Sequence, residues 1–226
     1  SRIASELEKW CESKKVRFYC DRTKYAETNN EDNARQWRYQ RLTHLAKMLS
    51  KKNPDRPCKF VVTAHTSSDR TETVLLNLAR GTGLKGLSTL RKSRALESNS
   101  PDKTIQLIRP MLCFTRSETA QIYKDLKLPV WLDPSNVNLE LNRNRIRHEV
   151  LPVLETIHPG CSLRIASLAE TLSHYKDDQT ALTKLALKSL QTPEGLCRSS
   201  LYKLPLTARS TLICEWIKQL GAPSLS

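Results

Sequence analysis

Residues 58–83 read CKFVVTAHTSSDRTETVLLNLARGTG, and no other stretch constrains the fold as much. Residues 58–64 are a short run rich in Val and Phe, set off upstream by the breaker NPDRP at 53–57. Such a run, bounded by turn residues, reads as a buried strand. It ends at His65 and passes without a spacer into Thr66, Ser67, Ser68 and Asp69, side chains that favour helix starts. Val74, Leu75 and Leu78 then recur at helical spacing over about residues 69–79, and Gly81 stops the pattern. A strand feeding directly into an amphipathic helix is half of a βα unit, which implies a parallel sheet with helices on its faces.

The rest of the first 149 residues repeats that alternation. A helix is expected over residues 3–10, a short strand over 16–20 and a helix over 34–49 with Trp37, Leu42, Leu45 and Leu49 as core contacts. Residues 91–104 are basic and polar and read as a loop. A third strand is expected at 105–108, stopped by Pro110, and a helix at 117–126. Strand signals vanish from Asn144 onward. Ile165, Leu168, Leu172, Tyr175, Leu182 and Ala186 mark one long amphipathic helix over 162–190, and a second helix is expected over 206–220. The chain thus divides into an α/β part, 1–149, and a helical part, 150–226. It opens inside a helical pattern, without methionine, and stops abruptly, which reads as a fragment cut at both ends.

Composition narrows the chemistry. Lys+Arg 37 against Asp+Glu 23 gives a net charge of +14, which suits a polyanion such as nucleic acid, with a solvated basic surface as the plain alternative. The 7 cysteines include no CxxC pair, so a zinc site of usual spacing is not expected, and reduced thiols in a cytosol-like compartment fit best. The apolar runs are too short to span a bilayer.

Two segments carry candidate chemistry. Ligands of parallel α/β sheets bind beyond the carboxyl ends of strands, where His65 and Asp69 stand. That step suits a phosphate or a metal-bound nucleotide; alternatively Thr66 to Asp69 only start the helix, with Asp69 and Glu72 as a capping box. Arg80 and Gly81 open a glycine-rich basic turn that either cradles phosphate or caps the helix. The second segment, NRNRIRH at 142–148, crowds Arg143, Arg145 and Arg147. On a helix Arg143 and Arg147 share a face and Arg145 points away. They suit phosphate bidentately, or form a solvated basic face. Arg35 and Arg38 flank Trp37 and Tyr39, whose rings suit either base stacking or packing on the sheet.

Taken together, ARQWRY at 34–39, AHTSSDRTETVLLNLARGTGLKGL at 64–87, RPML at 109–112, and WLDPSN with NRNRIRHEVLPVLE across 131–155 resemble the tRNA(Ile)-lysidine synthetases, members of the N-type ATP pyrophosphatases. The resemblance implies an adenine-nucleotide alpha hydrolase-like fold, a partial parallel sheet followed by an all-helical domain. It implies ATP and Mg2+ as cofactors, and as substrates free L-lysine and the tRNA(Ile) with a CAU anticodon. A homodimer is open. The compartment implied is a bacterial cytoplasm or a plastid stroma. By matching position, Ala64, His65 and Glu72 border the nucleotide, with Arg80 and Gly81 at its rim. Asp69 and Arg143 become catalytic, Asp69 also a candidate magnesium ligand. Arg35, Arg38, Asp133, Asn136, Asn144, Arg145 and Arg147 face the tRNA.

Two departures stand out. Ser68 occupies a position where the family often has a second Asp. The family's SGGxDS loop does not occur, and strands one and two of its 3-2-1-4-5 sheet have no counterpart. Residues 16–20, 58–64 and 105–108 would be strands three, four and five, separated by a gap, so that the isolated chain would bind ATP weakly and fold without cooperativity. Two alternatives stay open: a tRNA-binding copy without catalysis, and a tRNA thiolation enzyme of the same superfamily, against which the missing CxxC argues.

Overall fold

The structure, a computed structural model, describes residues 2–23, 31–97, 105–131 and 138–221. The first helix, α1 (Arg2–Ser13), is followed by α2 (Glu31–Lys52), the strand β1 (Phe60–Val62) and α3 (Ser67–Ala79). A one-turn helix α4 (Leu84–Leu87) leads to β2 (Ser93–Ala95) and β3 (Gln106–Ile108). Next come a 3-10 turn (Pro110–Cys113) and α5 (Arg116–Asp125).

The sheet has the order β1-β3-β2. β1 and β3 run parallel, with Val61 opposite Leu107, and β2 runs antiparallel to β3, with Arg94 opposite Leu107. The expected second and third strands are therefore neighbours, as the resemblance implied for strands four and five. β2 lies within the stretch expected to be only a loop. Its sequence, Ser-Arg-Ala, carries no apolar alternation; it is a strand because the β3 edge supplies its hydrogen bonds. Residues 16–20, expected as a strand, form no ladder and run beside α2, where Tyr19 and Cys20 line a cleft with Trp37 and Arg38. Trp37 lines that cleft, whereas Tyr39 packs against the core under the sheet. The core under α2 consists of Ala46, Val61, Leu96, Ile105 and Leu107, the last fully buried at 0% exposure.

The last described segment opens with a short α6 (Asn142–Arg145), a π-helical turn (Ile146–Val150) and α7 (Leu151–Ile157). The long α8 (Cys161–Leu190) follows, then a hairpin of two-residue strands β4 (Gln191–Thr192) and β5 (Gly195–Leu196), α9 (Arg198–Tyr202) and α10 (Leu206–Gln219). The hairpin is the one departure from an all-helical segment among the described residues. Glu155 caps α8 by accepting the backbone N–H groups of Gly160 and Ser162 at 2.6 and 2.7 Å.

α8 docks on α3, so the two parts share a buried seam. Ala166 and Ala169 let the backbones approach closely. Thr71 Oγ1 donates to Ser162 O at 2.7 Å. Arg70 is buried there and donates to Leu90 O at 3.0 Å and to Glu170 Oε2 at 3.1 Å, closing a charge pair across the seam. All 7 cysteines are free. Among the described residues no helix is long and apolar enough to cross a membrane.

Candidate functional site

α3 starts two residues after His65, at the carboxyl end of β1. Its N-cap is Thr66, whose hydroxyl accepts from the Asp69 N–H while the Asp69 carboxylate accepts the Thr66 N–H at 2.7 Å. The capping box is therefore Thr66 with Asp69, one turn earlier than the Asp69–Glu72 pairing expected from sequence. The helix begins at Ser67 rather than at Asp69, and this frees Glu72 for other partners. The hydroxyl-rich step also anchors the segment after the 3-10 turn. Ser67 Oγ donates to Phe114 O at 2.9 Å, and Ser68 Oγ accepts the Arg116 N–H at 3.1 Å.

Glu72 is the centre of the site. It is 1% exposed, yet Arg143 Nε donates to it at 2.9 Å and Arg147 Nε at 2.7 Å, with Arg147 Nη2 on the second oxygen at 3.1 Å. Arg116 Nη2 stands 3.7 Å from Glu72 and 3.2 Å from Asp69 Oδ1. Arg143 Nη2 also donates to Asp69 O at 3.2 Å and to Thr73 Oγ1 at 3.1 Å. Two carboxylates thus face three guanidinium groups, and one positive charge is left over. Arg143 and Arg147 reach one carboxylate because they lie one helical turn apart, as their spacing predicts; Arg145 points away to Glu149. Asn144 is buried and ties the helix start to Asn138 O at 2.8 Å.

Burial alone would raise the Asp69 carboxyl pKa. The Thr66 hydrogen bonds and the charges of Arg116 and Arg143 outweigh it and hold the group below its ordinary value. His65 is pushed down to about 4, first by burial and then by Arg109, Arg143 and Arg35, against the pull of Asp69. The imidazole is therefore neutral near pH 7, and its Nδ1 meets Thr63 Oγ1 at 3.0 Å.

The expected residues separate into places. His65, Asp69, Glu72, Arg143 and Arg147 converge at the strand ends, beside the exposed Ala64. Arg80, the C-cap of α3, and Gly81, with φ +74°, stand at the other end of that helix. Gly81 takes the left-handed conformation that ends α3, so the helix-cap alternative for this glycine holds. Arg35 and Arg38, grouped by sequence, face different clefts. Asp133 and Asn136 lie outside the described residues. Sequence reasoning missed Arg116, whose only signal was its place one residue after Thr115 in TRSE, a capping box at the start of α5. It also missed Arg109, 2% exposed just past β3, whose Nη2 donates to Tyr39 OH at 3.2 Å.

The donor set fits phosphate. Three guanidinium groups with a net positive charge at a strand–helix junction are suited to a polyphosphate. It does not fit a resident magnesium ion as arranged. Asp69 Oδ2 already takes two hydrogen bonds from Thr66, and Oδ1 faces Arg116. Among the described residues no group of three His, Cys, Asp or Glu side chains is placed to hold a metal.

A family model for the PP-loop domain matches residues 1–154. The tRNA(Ile)-lysidine synthase of Prochlorococcus marinus (strain SARG) is 49% identical over 224 residues, covering 99% of this chain and 65% of that protein. The one from Prochlorococcus marinus (strain NATL1A) is 43% identical over 223 residues, covering 98% of this chain and 67% of that protein. The U34-tRNA thiolase NcsA of Methanococcus maripaludis, solved with its 4Fe–4S cluster, superposes with a TM-score of 0.54 at 18% identity, over 76% of this chain and 55% of that one. That likeness speaks for the fold alone. The α/β sheet with its carboxylate–arginine site at the strand ends thus defines a PP-loop protein. Within that class, the chain belongs to the tRNA(Ile)-lysidine synthase family. It spans 65% of the length of the first of these relatives.

Proposed function

We propose that this chain supplies the catalytic core of an enzyme that joins lysine to C2 of the wobble cytidine of the tRNA(Ile) with a CAU anticodon. The reaction has two steps. ATP adenylates the base at C2 and pyrophosphate leaves. The amino group of free L-lysine then attacks C2, and AMP leaves with the former base oxygen.

The observation that carries this reading is the convergence of Arg116, Arg143 and Arg147 on Asp69 and Glu72 at the carboxyl ends of β1 and β3. Glu72 orients Arg143 and Arg147, so those forks need no reorganisation when negative charge develops nearby. Arg143 is the group we assign to the phosphates, with Arg116 beside it. Asp69 holds the strand–helix step in shape and is the carboxylate we assign to catalysis. The neutral His65 adds no charge there. We derive no step through Mg2+, because the carboxylates are already engaged. The net charge of +14 supports a tRNA substrate. The setting we propose is a bacterial cytoplasm or a plastid stroma.

The test is ATP-dependent incorporation of labelled lysine into an unmodified CAU-anticodon tRNA(Ile) transcript, with AMP and pyrophosphate quantified. In the enzyme that carries this chain stoichiometric release is expected, reduced at least a hundredfold in Arg143→Gln. Tight tRNA binding without lysine transfer would instead favour a binding-only protein.

A further inference from the structure

A second cationic site lies farther along α3. Its C-terminal half and the first turns of α2 enclose a cleft of 240 Å³ lined by Asp32, Arg35, Thr73, Asn77, Arg80 and Arg143, among others. Three elements deliver three guanidinium groups to it, and among the described residues Asp32 supplies the single carboxylate. The other polar side chains are partly committed. Asn77 Nδ2 donates to Gly86 O at 2.8 Å, which pins the glycine-rich turn, and Thr73 Oγ1 donates to Asp69 O at 2.8 Å. Arg35 and Arg80 are different: both are exposed, and among the described residues neither guanidinium makes a hydrogen bond or an ion pair.

Arg35 is nonetheless held in place. Its guanidinium lies over the Tyr39 ring, 5.8 Å from the centroid, and the Tyr39 hydroxyl takes a hydrogen bond from Arg109. Arg109 is itself anchored to Arg91 O at 2.8 Å, and among the described residues its buried Nε has no partner. A chain of contacts from the end of β3 thus fixes where Arg35 stands.

We propose that Arg35 and Arg80 form one phosphate subsite, and that it takes a backbone phosphate of the RNA substrate rather than a phosphate of ATP. This rests on the function proposed above. Among the described residues no aromatic side chain lines the cleft, which offers phosphate contacts without a surface for stacking a base. α3 runs away from the strand ends, and Arg80 lies seven residues beyond Thr73, about 10 Å along the helix axis. A nucleotide whose phosphates are held at Arg143 and Arg116 leaves that far end to a polymer, which carries a phosphate at every residue.

The experiment measures fluorescence-anisotropy binding of an unmodified CAU-anticodon tRNA(Ile) transcript across a KCl series, with ATP affinity measured separately. The proteins are the wild-type chain, Arg35→Gln/Arg80→Gln and Arg35→Lys/Arg80→Lys, each checked by thermal melting. The Gln pair is expected to lose roughly tenfold in tRNA affinity, with a salt slope shallower by about 1. The Lys pair is expected to keep most of the slope, and ATP affinity to equal that of the wild type. Unchanged tRNA binding in the Gln pair, with a wild type that does bind, removes the subsite alone. Weakened ATP binding with unchanged tRNA binding reassigns the cleft to the nucleotide and overturns the proposal. A wild-type chain that binds no tRNA removes the parent reading and the subsite together.

Discussion

Arg147 closes a two-pronged hydrogen-bonded pair on Glu72, at 2.7 and 3.1 Å, and joins the π-helical turn after α6 to the middle of α3. The residues are 75 apart in sequence, and the carboxylate is almost wholly removed from water. Replacing Glu72 by Gln leaves Arg143 and Arg147 partly buried without their counter-charge. Breaking one side of a buried pair typically costs about 3–5 kcal/mol. Urea denaturation of Glu72→Gln should show a loss in that range. Arg145→Gln, which breaks an exposed pair with Glu149, should lose no more than about 1 kcal/mol. Equal losses would mean that the knot adds nothing beyond surface pairing.

His65 makes stability depend on pH. Its folded pKa of about 4 lies below the ordinary 6.5, so the unfolded chain takes up the proton first. The neutral imidazole's contribution is fully present above pH 6.5 and is lost as pH falls toward 4. Denaturation midpoints measured from pH 8 down to 4 should decline through that window, and His65→Gln should flatten the decline. An unchanged decline in the variant would assign it to other groups.

The α3–α8 seam depends on small residues. Ala169 is 1% exposed there, and Ala169→Leu forces the helices apart at a cost of about 1–3 kcal/mol. Leu182 on the same helix is 65% exposed, and Leu182→Ala should change stability by less than about 0.5 kcal/mol. Thermal melting of the two variants distinguishes a docked α8 from one held only at its ends.

Cys197 precedes α9, and its thiol is lowered to about 7 by the Ser199 and Ser200 hydroxyls, each 3.3 Å from the sulfur. Its alkylation by iodoacetamide, followed by peptide mapping, should reach half its maximal rate near pH 7. Ser199→Ala/Ser200→Ala should move that midpoint toward the ordinary 9.0. A midpoint indifferent to the two serines would contradict this origin.

Local patterns determined much of this protein. The βα step at 58–79, the long helix of residues 162–190 and the one-turn spacing of Arg143 and Arg147 were all legible. Each rests on side-chain periodicity or capping within a few residues, which short-range sterics enforce. The quoted motifs also carried the family resemblance. Only the tertiary structure decided the rest. Ser93–Ala95 becomes a strand because β3 offers an edge, whereas residues 16–20, with a better strand pattern, find no such partner among the described residues. Asp69 turns out to cap the helix, and Glu72, assigned to the nucleotide, is committed to arginines 71 and 75 residues away. Arg35 and Arg38 are parted onto two clefts, and Arg109 and Arg116 gain roles that no local pattern announced. A charge declares its type in the sequence, but its partner is set by which segments the core brings within hydrogen-bonding distance. That depends on long-range packing and on the cost of burying an unpaired ion, neither of which local spacing records.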